Sequence, residues 1–303
     1  MGAEWAERWG DEASSTWIHF DRKSDGAGAW LRERSGLDEL VLEELLIEST
    51  RPRVVAAAGG VLLTLRGVNL NPGADPEDMI SVRIWTDGRR VVSLQGPRLV
   101  AIETLLKDIR AGEGPSSVEG LLMAMISGLT ARMGPVIEGI NAVIDEFEDR
   151  VIDPHRTVER LELISIRQRV ITLHRYLGPQ AVALKQLHAI KEGVFGPERQ
   201  DELVQQINLV VRYVEDLEAA KGRAVVIQDE LANQLAERAN QRVYAVTIIA
   251  AIFLPLTLVS GLLGMNVGGI PMASFGPGFA IVCVVSAVLG VGGFWWLRRS
   301  EWL

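Results

Sequence analysis

Residues 243–297 contain no Asp, Glu, Lys, Arg or His. Two apolar runs lie within them, 243–263 and 279–297, and each as a helix is long enough to cross about 30 Å of hydrocarbon. The segment between, 264–278, is rich in Gly and Pro and reads as a loop. A chain with this pattern has few ways to fold: the two runs form a hairpin of membrane helices, and the rest lies outside the bilayer. Arg238 and Arg242 precede the first run, and Arg298 and Arg299 follow the second. By the positive-inside rule both ends are cytoplasmic and only the short loop faces out. Trp295, Trp296, Trp302 and Tyr244 suit the cytoplasmic interface. The N-terminus, with Glu4, Glu7, Arg8, Asp11 and Glu12, has no apolar core of a cleavable signal peptide.

The remaining residues divide into two regions. Residues 1–112 mix strand and helix signals. "WIHFD" (17–21) alternates weakly, 61–70 and 80–94 read as strands, and Asp87-Gly88 marks a hairpin turn. Residues 37–48 and 97–109 have helical spacing. This predicts an α+β or α/β domain with several strands. In residues 113–242 the pattern turns helical. Ser116 with Glu119 reads as a capping box opening one helix over 117–151, which ends in an acidic run. A second helix near 157–190 is expected to be interrupted at Gly178-Pro179. A third starts near Glu198 and meets no convincing stop before Gly264, a helix of about 65 residues and about 100 Å. Gly222 weakens it locally, and Pro255 is expected to kink it within the bilayer.

One face of that long helix is distinctive. Stepping back from Gly261 in threes and fours gives Thr257, Leu254, Ala250, Thr247, Val243, Asn240, Ala236, Asn233, Asp229, Val226 and Gly222. Inside the membrane the stripe holds small side chains and both threonines of the first run. The flanking faces carry the large residues that lipid accepts, such as Ile248, Ile252, Phe253 and Leu256. Small residues and Thr also allow close helix packing, which is the plainer reading of the membrane part alone. The cytosolic continuation weighs against it. A dry seam with Asp229, Asn233 and Asn240 in place of Leu or Ile is costly, and a water-filled axis is not. A ring of Asp229 carboxylates from several subunits concentrates cations.

Composition excludes several other classes. The formal charge of -8 argues against nucleic-acid binding, which normally needs a basic face. With one cysteine, Cys283, there is no disulfide framework or Cys-rich zinc site, and Cys283 reads as a small packing residue. The histidines His19, His155, His174 and His188 lack metal-ligand spacing and read as ordinary packed or solvated residues. Asp145, Glu146, Glu148 and Asp149 read as a solvated helix face, with a regulatory cation site as the alternative. No phosphate loop follows a strand and no nucleophile–base pair is evident, so neither a cofactor nor an enzyme is expected.

At the end of the first run stands "GLLGMNVGGIP" (261–271). Glycines let backbones approach closely, and Asn266 supplies an amide oxygen for the water shell of a divalent cation. With "TIIAAIFLPLTLVSGLLGMN" (247–266), this triplet resembles the signature of the CorA-type metal ion transporter family. "NVGGIP" (266–271), "RRSEWL" (298–303), "ESTRPRV" (48–54) and "WIHFD" are similar to its zinc-transporter branch, ZntB. The resemblance covers essentially the whole chain. It implies a homopentameric funnel in a bacterial inner membrane. Its parts are a cytoplasmic α/β sandwich, a long pore-lining helix and an outer ring of second spans. It also implies that Gly264, Met265 and Asn266 form the entrance filter and that Asn266 meets the hydrated ion. The expected function is divalent-cation transport, zinc uptake above all, with protons as a coupled ion. The alternatives are a magnesium or cobalt channel of the same family, or a non-conducting membrane-anchored coiled-coil sensor. The magnesium-type loop usually carries a Glu soon after the Pro, whereas Met272, Ala273 and Ser274 follow Pro271 here. No Asp, Glu or His in 243–297 offers a proton carrier, which leaves Asp229, the cytosolic histidines or a water path.

Overall fold

The fold is taken from a computed structural model. It describes residues 5–8, 15–22, 24, 26–47, 51–57, 59–153, 160–190, 194–265 and 276–299. The chain divides into two compact units, Met1–Asp229 and Glu230–Leu303.

The first unit is built on a six-stranded sheet: β1 (Trp5–Arg8), β2 (Thr16–Asp21), β3 (Arg53–Ala57), β4 (Gly60–Gly67), β5 (Ile80–Thr86) and β6 (Arg90–Gln95). The order is β1-β2-β6-β5-β4-β3; β2 and β6 run parallel and every other pair antiparallel. The β5–β6 hairpin turns where Asp87-Gly88 predicts it. Gly88 takes φ 84°, and the Asp87 carboxylate accepts from the Arg89 and Arg90 N–H groups at 2.9 and 2.6 Å. Beyond Gly60, β4 is buried along its whole length, as befits an inner strand covered on both faces.

Two short helices, α1 (Ala27–Arg34) and α2 (Glu39–Leu46), cover one face, where Leu31, Val41 and Leu45 pack on Phe20, Leu62, Trp85 and Leu94. Behind the sheet lie α3 (Val100–Arg110) and α4 (Val118–Ala131). There a side chain at Gly67 would collide with Leu99 and Leu129. The result is an α/β sandwich.

The helical region departs from the expectation in three places. The cap of α4 is Ser117, not Ser116: its side chain accepts from the Gly120 N–H at 3.1 Å. Glu119 closes no box and instead accepts from the Gly196 N–H at 2.9 Å. The single helix over 117–151 is two, α4 and α5 (Gly134–Ile152), because Pro135 starts a new first turn. Gly134 lies there because a side chain would come within 2.7 Å of the Tyr213 hydroxyl. The break predicted at Gly178-Pro179 does not occur: α6 (Arg160–Ala189) runs through it. Gln180, one residue on, is buried and accepts from the Arg66 N–H of β4 at 2.7 Å. Docking onto β3 and β4 outweighs the missing proline donor.

Helix α7 (Pro197–Leu263) is the long helix, 67 residues with neither Gly222 nor Pro255 ending it. In the first unit it buries Leu203, Ile207, Val210, Leu217, Ala220, Ala224 and Ile227, a three–four stripe. The Arg223 guanidinium ties it to α5 by gripping Glu148 with two bonds of 2.7 and 2.6 Å and reaching Asp145 as well.

In the second unit the end of α7 pairs with α8 (Gly278–Arg299). Ile248 is buried, and Ile252, Leu256, Val259 and Leu263 are half-buried along the paired face. On α8 the half-buried positions are Val282, Ser286, Gly290 and Gly293; small residues here let the axes approach. Leu256 comes within 3.6 Å of where a Gly290 side chain would begin. By length and composition a third segment, 118–152, is also apolar enough to cross a bilayer. Its most apolar window is 61% buried within the protein, against 6% for the windows in α7 and α8, so it is core rather than span.

A candidate ion pathway along one face of α7

The stripe singled out from the sequence lies on the open side of α7. Gly222, Val226, Asp229, Asn233, Ala236, Asn240, Val243, Thr247, Ala250, Leu254, Thr257 and Gly261 are all exposed. Leu254 is 71% exposed, whereas Ile248 on the opposite face is 9%. Ile248, Ile252, Leu256 and Val259 turn toward the chain's own α8, while the stripe is left exposed together with Ile249, Phe253, Leu258 and Leu262. Asp229 and Asn233 lie one turn apart and Asn240 two turns further on, so the stripe offers one carboxylate and two amides before the threonines begin.

The threonine geometry bears on ion chemistry. Thr247 Oγ1 donates to the Val243 carbonyl at 2.9 Å, and Thr257 Oγ1 donates to the Phe253 carbonyl at 2.8 Å. Each hydroxyl proton is committed to its own helix. The outward lone pairs are then acceptors only, matched to the water protons around a hydrated cation. A shallow hollow of about 390 Å³ lies on the same face, lined by Leu254, Thr257, Leu258, Gly261 and Leu262. Gly261, in its lining, has nothing within 4 Å of an added side chain.

At the helix end the Gly264 N–H donates to the Ser260 carbonyl at 2.9 Å. A side chain on Gly264 would meet that same oxygen at 2.9 Å, so glycine is required for the final turn. Met265 follows and is 47% exposed. Asn266 and the rest of the loop to residue 275 lie outside the described residues. Gly264 and Met265 thus stand directly beyond the stripe.

The cytosolic candidates resolve differently. The acidic run is cross-linked rather than simply solvated: Arg223 holds Asp145 and Glu148, and Arg150 contacts Glu146 and Glu162. The Arg223 hydrogen bonds hold the Glu148 carboxyl below its ordinary range. Sequence spacing missed this pair because its partners lie 75 residues apart. His19 is buried; its Nδ1 lies 2.8 Å from Ser93 Oγ, which also accepts from Trp17 Nε1 at 2.7 Å. Burial pushes the ring down to about 4 although Asp21 pulls upward. His174 is half-buried, His188 is exposed, and His155 lies outside the described residues. Among the described residues no three His, Cys, Asp or Glu side chains are arranged to hold a metal. Cys283 is exposed on α8 within its own chain.

Residues 12–299 match the family model described as CorA-like Mg2+ transporter protein. The divalent cation transporter CmaX of Pseudomonas aeruginosa is 39% identical over 291 residues, 95% of this chain and 88% of the relative. The zinc transport protein ZntB of Yersinia enterocolitica is 31% identical over 287 residues, again 95% and 88% of the two chains. The solved structure of full-length CmaX superposes with a TM-score of 0.81 at 39% identity, covering 94% of this chain and 88% of that one.

Proposed function

The chain belongs to the CorA-like Mg2+ transporter family, a family of divalent-cation transporters and not of enzymes, and on that premise we propose that it moves zinc along the exposed stripe of α7. The observation that carries the reading is the orientation of that stripe. Asp229, Asn233, Asn240, Thr247, Leu254, Thr257 and Gly261 all lie exposed along one side of α7. A polar stripe left open beside apolar flanks calls for water and symmetry mates, and the family's assembly is a homopentamer. In that assembly five copies of α7 surround an aqueous axis, and α8 forms the outer ring.

In this reading Gly264, Met265 and Asn266 form the filter at the outer mouth. Asn266 holds the hydrated ion by its amide oxygen. The cytoplasmic part comprises residues 1–112 and 113–242, the spans are 243–263 and 279–297, and 264–278 is the external loop. The membrane is the bacterial inner membrane, with both termini cytoplasmic. Zinc is favoured by the named activity of the ZntB relative and by the neutral sequence Met272-Ala273-Ser274 after Pro271. Proton coupling is part of the proposal, and its carrier is water in the pathway, Asp229 or a cytosolic histidine, since 243–297 contains no Asp, Glu or His.

A magnesium or cobalt channel is the second reading, favoured by the family model's description. Flux into proteoliposomes loaded with a zinc-sensing dye separates the two. The proposal expects zinc entry that rises with an inward proton gradient and resists excess magnesium. Entry abolished by equimolar magnesium selects the second reading. Zinc flux unchanged in Asn266→Ala removes the filter assignment.

A further inference from the structure

A second hollow in the α7–α8 hairpin has no part in the ion pathway. About 390 Å³ in volume, it is lined chiefly by Ile252, Pro255 and Leu256 of α7 and by Gly292, Gly293 and Trp296 of α8. At 100° per residue these α7 positions lie opposite the stripe through Leu254 and Thr257. The volume falls at the low end of ligand pockets, about 300–1,000 Å³.

Gly292 and Gly293 leave this space open. Gly290 is packed, with Leu256 at 3.6 Å from an added side chain, whereas Gly292 and Gly293 have nothing within 4 Å. The only side-chain hydrogen-bonding group in the lining is the Trp296 indole N–H. The occupant must therefore be apolar along most of its length.

The charge at this end says what kind of molecule it is. Arg299 lies three residues beyond Trp296, exposed, with its guanidinium 5.4 Å from the centre of the Trp295 ring. Arg238 and Arg242, both exposed, precede the paired part of α7. An apolar slot in the span leading to a basic rim is complementary to a lipid with a hydrocarbon tail and a negative head. We propose that this hollow seats one acyl chain of an anionic phospholipid and that Arg299 holds its phosphate. The proposal needs the hairpin to lie in a bilayer and does not depend on which ion α7 carries.

The test uses the full-length protein in detergent, offered equal amounts of phosphatidylglycerol and phosphatidylcholine of matched chains and weighed by native mass spectrometry. Phosphatidylglycerol is expected to be retained over phosphatidylcholine by roughly five-fold per basic residue engaged. Gly292→Leu fills the slot and lowers retention of both lipids, and the smaller Gly293→Ala lowers it less. Arg299→Gln abolishes the preference while leaving chain binding. Equal retention of the two lipids by the parent overturns the proposal, as does undiminished retention in Gly292→Leu. A change in oligomer mass in Gly292→Leu, with lipid retention unmoved, assigns the slot to a neighbouring subunit and also overturns it.

Discussion

At the scale of single residues, burial decides which polar groups matter to stability and which remain for function. His19 was legible only as a histidine without ligand spacing; the sheet makes it a neutral, buried ring beside Ser93. Its folded value of about 4 lies below the ordinary 6.5, so the fold accommodates the uncharged form. Its contribution to stability is complete above pH 6.5, falls as pH drops from 6.5 to 4, and changes no further below. The full loss is about 3 kcal/mol. Thermal midpoints at pH 7 and 4.5 test this, and His19→Gln is expected to reduce the difference. Gly264 is a contrasting case, since its glycine character follows from one distance, 2.9 Å to the Ser260 oxygen. Gly264→Ala is expected to loosen the last turn of α7 by about 1 kcal/mol, read as faster amide exchange at residues 260–264.

At the scale of elements, apolar periodicity predicted where helices run better than where they stop. The long α7 was legible because no Gly or Pro cluster interrupts its apolar pattern between residues 198 and 263. Gly178-Pro179 reads as a break locally, yet α6 continues because its far side is anchored to the sheet. Gln180 is that anchor. Gln180→Leu removes the Oε1 that accepts from the buried Arg66 N–H and is expected to cost about 1–3 kcal/mol in denaturant unfolding. The Arg223 link between α5 and α7 is more exposed, with side chains 35% and 39% accessible, so solvent screening limits it to less than about 1 kcal/mol. Arg223→Met is therefore expected to shift the thermal midpoint by only a few degrees. Glu148 contributes in full above its ordinary carboxylate range and loses that contribution as pH falls through its depressed folded value.

At the scale of the whole molecule, the unusual property is an α7 stripe with polar side chains at core-like spacing and no partner in its own chain. Asn233→Leu tests what the stripe is for. If five stripes enclose water, the variant dries the axis: zinc flux falls roughly tenfold or more while the thermal midpoint holds or rises. Unchanged flux with a raised midpoint would mean that the stripe packs and does not conduct. By itself the sequence determined the membrane hairpin, the long helix and the polar stripe. Charge exclusion from 243–297 and helical periodicity are local properties that hydrocarbon and backbone geometry enforce directly. Only the tertiary structure decided that the stripe is left exposed by its own chain, that Arg223 engages the acidic run, and that 118–152 is core rather than span. Those depend on which surfaces meet across long sequence separations, and a residue's neighbours in the chain do not specify its neighbours in space.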